Sequence, residues 1–114
     1  MEDKLKRQIL KPAELSLYCY QFSVVFKVGL PYLEGLQLLA GDGFESRIKA
    51  IVSEISKVVS IGKSLHEAID NRGVFPSYLV SMLKIAEETG RLGDVFEQLS
   101  VYYEQNDILK QKLK

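Results

Sequence analysis

The chain carries few side chains able to do covalent chemistry. It has one histidine, His66, and one cysteine, Cys19. Nucleophilic catalysis needs a nucleophile, a base and an orienting group in reach of one another. Cys19 lies between Tyr18 and Phe22 on an apolar stripe, the setting of a small core residue, not of an activated thiolate. His66 falls in the first turn of a short helix and is expected to be a solvated surface side chain. No second His or Cys stands at metal-ligand spacing, and neither a phosphate loop nor a dinucleotide fingerprint occurs. Four carboxylates, Glu87, Glu88, Asp94 and Glu97, crowd one turn. Converging, they could hold a divalent cation such as calcium. The competing expectation is that Asp94 and Glu97 favour a helix N-terminus while Glu87 and Glu88 are solvated. Tyr18, Tyr20, Tyr102 and Tyr103 have faces on which nucleic-acid bases could stack. At helical spacing they read instead as core or interface residues with satisfied hydroxyls. No catalytic residue, cofactor or metal is therefore expected, the four carboxylates being the weak exception.

The elements that must position these residues are helices. Glycine and proline punctuate the chain at Gly29 and Pro31, Gly41 and Gly43, Gly62, Gly73 and Pro76, and Gly90 and Gly93. Between them apolar residues recur at spacings of three and four. After Pro12, Leu15, Tyr18, Cys19, Phe22, Val25 and Phe26 form one stripe, and Leu17, Tyr20, Val24 and Val28 form a second. A helix in a small bundle normally buries one stripe. This helix is therefore either central, or its second stripe is an interaction face suited to symmetric pairing. A short helix begins at Pro31, with Leu33, Leu36 and Leu39 or Ala40 inward. A third runs from about Phe44 to Ser60 with Phe44, Ile48, Ile51, Val52, Ile55, Val58 and Val59 on one face. Ser64 and Glu67 make a capping box that opens a fourth, carrying Leu65, Ala68 and Ile69. Pro76 opens a fifth with Leu79, Met82, Leu83 and Ala86 inward, stopped by Gly90. A sixth runs from Asp94 towards Lys114 on a stripe of Val95, Phe96, Leu99, Tyr102, Tyr103, Leu109 and Leu113. The expected fold is all-α, a six-helix bundle of alternating long and short antiparallel helices. Residues 1–12 form a basic lead-in and residues 13–114 the domain.

Composition agrees with a single soluble core. The chain has 114 residues, 46% hydrophobic and 26% charged, with 15 basic and 15 acidic residues and no net charge. A neutral chain lacks the basic field of a nucleic-acid binder, so no nucleic-acid partner is expected. One cysteine excludes an internal disulfide. No stretch has the ~20 apolar residues that span a bilayer, and no signal peptide is recognisable. Basic residues gather at both ends, Lys4, Lys6, Arg7 and Lys11 at the start and Lys110, Lys112 and Lys114 at the finish. Near an anionic membrane surface each would add ~1 kcal/mol.

Four stretches in order resemble the type II secretion system protein F family. Residues 20–36 (YQFSVVFKVGLPYLEGL) are similar to its F-x-x-Q-L-x-x-L-x-x-A-G-x-P-L-x-x-A-L, with Gly29 and Pro31 in place. Residues 62–69 (GKSLHEAI) match G-x-S-L-x-x-A-L through Gly62, Ser64 and Leu65. Residues 75–92 begin with Phe75 and Pro76 and end in EETGRL, resembling F-P then M-I-x-x-G-E-x-S-G-x-L through Glu87, Gly90 and Leu92. Residues 99–104 (LSVYYE) resemble L-A-x-Y-Y-E. Ala86 stands where the family usually has glycine. The resemblance covers about residues 13–114. It implies a non-catalytic cytoplasmic domain of a polytopic platform protein on the cytoplasmic face of the bacterial inner membrane, the first of two such domains, cut before a membrane segment. It implies partners in the assembly ATPase and other secretion or pilus components, a homo-oligomer, and a role linking that ATPase to the base of a pseudopilus or pilus. The other readings are an interaction module of a competence DNA-uptake machine, or an unrelated small enzyme; a convergent acid–base pair in a pocket would favour the last.

Overall fold

The computed structural model describes residues 9–41 and 46–113. They form six α-helices: α1 (Pro12–Lys27), α2 (Tyr32–Leu39), α3 (Ser46–Ser60), α4 (Leu65–Arg72), α5 (Ser77–Thr89) and α6 (Leu92–Lys112). No strand occurs among the described residues. Lengths alternate over the first four, at 16, 8, 15 and 8 residues, and rise to 13 and 21 in the last two.

The helix ends follow local chemistry. Pro12 occupies the first turn of α1, where its missing N–H costs nothing, and Glu14 Oε1 accepts from the Lys11 N–H at 3.2 Å. Gly29 (φ +80°) and Gly90 (φ +70°) stop α1 and α5 in the left-handed region, where a Cβ would clash. Pro31 is extended and caps α2 from one residue outside, not from within its first turn as expected.

The helices pack as a closed ring in chain order. Each touches the next, and α1 against α6 closes the ring through the most extensive contact of all. That pair is antiparallel. Gly93 at the start of α6 lies so close to the end of α1 that an added Cβ would sit 2.8 Å from Lys27 N, while Ser16 near the other end donates to the Ser100 carbonyl at 2.9 Å. Between these points Phe22 stacks on Phe96 with centroids 4.8 Å apart, Phe26 lies 5.8 Å from Phe96, and Tyr32 of α2 meets Phe26 edge-on at 6.1 Å. One apolar core fills the ring, with contributions from every helix.

Several expectations are corrected. Leu33 is exposed and Leu39, not Ala40, completes the buried face of α2. Residues 43 and 44 lie outside the described part, and α3 begins at Ser46. Helix α6 starts two residues earlier than expected, at Leu92, and runs unbroken through Asn106 and Asp107. Its stripe is buried only at Phe96, Leu99 and Tyr103, because α1 ends before reaching its last turns; Tyr102, Leu109 and Leu113 are exposed. The lead-in is not all outside the core either: Leu10 is buried.

Candidate functional sites: an outward helix face and a polar clasp

The ring shows that α1 is not a central helix. A ring member has an inside and an outside, so only one stripe is covered. Leu15, Tyr18, Cys19, Phe22, Val25 and Phe26 are buried, while Leu17, Tyr20, Val24 and Val28 remain 44%, 58%, 51% and 69% exposed. These four recur at three or four residues and make one apolar row along the outside of the helix. Burial holds Cys19 protonated, its thiol pushed up to about 12, so it has no nucleophilic character at neutral pH.

The second site lies where α4 begins. A helix leaves its first four N–H groups without intrahelical partners. Here side chains accept from all four. Glu67 Oε1 accepts from Ser64 N at 3.3 Å, and Ser64 Oγ accepts from Glu67 N at 3.3 Å, closing the capping box. That hydrogen bonding holds the exposed Glu67 carboxyl below its ordinary range. The remaining two donors turn to α5: Glu87 Oε2 accepts from Leu65 N at 3.2 Å and Oε1 from His66 N at 2.6 Å. Glu87 Oε1 also lies 2.7 Å from His66 Nδ1. Its side chain is 11% exposed and that of His66 23%. Neither is solvated, contrary to expectation. The signal was present in the sequence, since the capping box accounts for two of the four donors and leaves two that need an acceptor.

Ser64, His66 and Glu87 do not form a catalytic relay. Ser64 Oγ lies 3.1 Å from His66 Nδ1, the same nitrogen that faces Glu87. A relay needs the base and the orienting carboxylate on opposite ring nitrogens. Here Ser64 and Glu87 share a single nitrogen.

The other carboxylates do not converge on Glu87. Glu97 pairs with Lys27 Nζ at 2.6 Å, raising the Lys27 pKa, and Asp94 Oδ2 lies 3.8 Å from Arg91 Nε. Glu88 is exposed on α5. Among the described residues no group of three or more His, Cys, Asp or Glu side chains is arranged to hold a metal ion. Tyr103 departs from expectation as well: its hydroxyl is buried without a hydrogen-bond partner, and burial raises its pKa.

The motif residues meet as joints between elements. Ser64 and Leu65 meet Glu87 in the clasp. Gly29 and Tyr32 face Gly90, Leu92 and Gly93 across a cleft of about 160 Å³, where the elbow after α1 meets the elbow after α5. Gly62 follows α3, Phe75 is buried in the α4–α5 linker, and Pro76 precedes α5. Pro31 is exposed at the head of α2.

Motif residues that fix joints, beside an uncovered apolar helix face, define a helical structural module. Residues 18–114 match the family described as Type II secretion system (T2SS), protein F, and the chain belongs to that family. It is 30% identical over 112 residues to the type IV pilus assembly protein PilC of Pseudomonas aeruginosa, covering 90% of this chain and 30% of that protein. The type II secretion system protein F of Vibrio cholerae is 29% identical over 110 residues, covering 96% of this chain and 27% of its own length. The type IV pilus assembly protein TapC of Aeromonas hydrophila is 22% identical over 106 residues, covering 92% and 26%. The chain thus spans roughly a quarter to a third of these relatives. No described helix is long and apolar enough to cross a membrane.

Proposed function

We propose that this chain is a non-catalytic cytoplasmic domain of an inner-membrane platform protein, the first of two such domains, and that it scaffolds secretion or pilus assembly. Its part is to link the assembly ATPase to the base of the fibre, at the cytoplasmic face of the membrane, as one member of a homo-oligomer. The outward row of Leu17, Tyr20, Val24 and Val28 carries this reading. An exposed apolar row on a helix fixed along its other side presents a rigid surface to a protein partner. Pairing of two α1 helices through that row is the simplest closed arrangement. Family membership supports the machine, and the relatives' names place them in pilus assembly and in type II secretion.

Val24→Asp tests it. Val24 faces outward, so the variant should keep its helical content and melting temperature. It should lose self-association in sedimentation and lose nucleotide-independent binding to a purified assembly ATPase of the same organism. A wild-type chain that stays monomeric at high concentration would remove the α1 dimer. Unchanged ATPase binding by the variant would move the partner surface off α1.

A further inference from the structure

We draw no further inference here: the strongest candidate, the cleft between the elbow after α1 and the first turn of α6, which has no side-chain cap, offers a ligand a helix N-terminus alone, and nothing in the structure shows what it would bind.

Discussion

The α1–α6 contact and the α4–α5 contact hold their helices by different means. The first is long and mostly apolar. Phe22, Phe26 and Phe96 stack through its middle, and Gly93 lets the two backbones approach at one end. Its ion pair, Lys27–Glu97, is on the rim, 39% and 55% exposed and screened by solvent, and one part-buried hydrogen bond joins Ser16 to the Ser100 carbonyl. The second joins a helix of only 8 residues, too short to persist alone. Leu65, Ala68 and Ile69 give it a small apolar face, and the Glu87 carboxylate ties down its first turn. Shape fixes a long helix pair over many residues. A short helix has few residues to spend on shape, and its terminal donors become the place where a neighbour can hold it.

Phe96→Ala should have the largest effect of any change at either contact, costing about 3–5 kcal/mol, because the cavity opens between two helices that cannot both collapse into it. Denaturant unfolding measures this; a loss near that of a surface substitution would mean the ring closes by other contacts. Gly93→Ala comes next, at about 1–3 kcal/mol. Its Cβ would meet Lys27 N and Cα at 2.8 and 2.9 Å, which are backbone atoms, so the helices must separate. Glu87→Ala should cost about 1–3 kcal/mol by leaving the Leu65 and His66 N–H groups unpaired. Amide exchange sharpens that comparison: protection should fall first at Leu65 and His66 while α1 and α6 keep theirs. The smallest effect concerns pH. The Cys19 thiol is raised to about 12 by burial, so the folded state holds its proton more tightly than the unfolded state does. Stability is then full below the ordinary thiol range and falls as pH rises above about 9, by about 1 kcal/mol at pH 10. Cys19→Ala should flatten that alkaline limb; an unchanged limb would assign it to Tyr103, whose shift has the same sign.

The same comparison shows what could be read from the sequence. Helix periodicity and the stops at Gly29, Gly73 and Gly90 are local, so six helices follow from neighbours a few residues apart. The two stripes of α1 were legible for the same reason. Which stripe lies inside is a tertiary matter, decided by α6 arriving along one side. The pairing of Glu87 with Leu65 and His66 spans more than twenty residues and leaves no periodic trace. Only the count of free donors at the start of α4 hints at it. Leu10 was missed because nothing in a basic lead-in marks one leucine as a core residue.

Ring closure between the first and last helices has a consequence for synthesis. The contact partner of α1 begins at Leu92, so the aromatic face of α1 (Pro12–Lys27) leaves the ribosome well before α6 exists. At the usual elongation rate of about 5–20 residues per second, the 65 residues from Lys27 to Leu92 take roughly 3–13 s. Over that interval Phe22 and Phe26 have no Phe96 to stack on. The order of helices therefore makes the nascent chain, more than the finished domain, the form of this protein in greatest need of a chaperone.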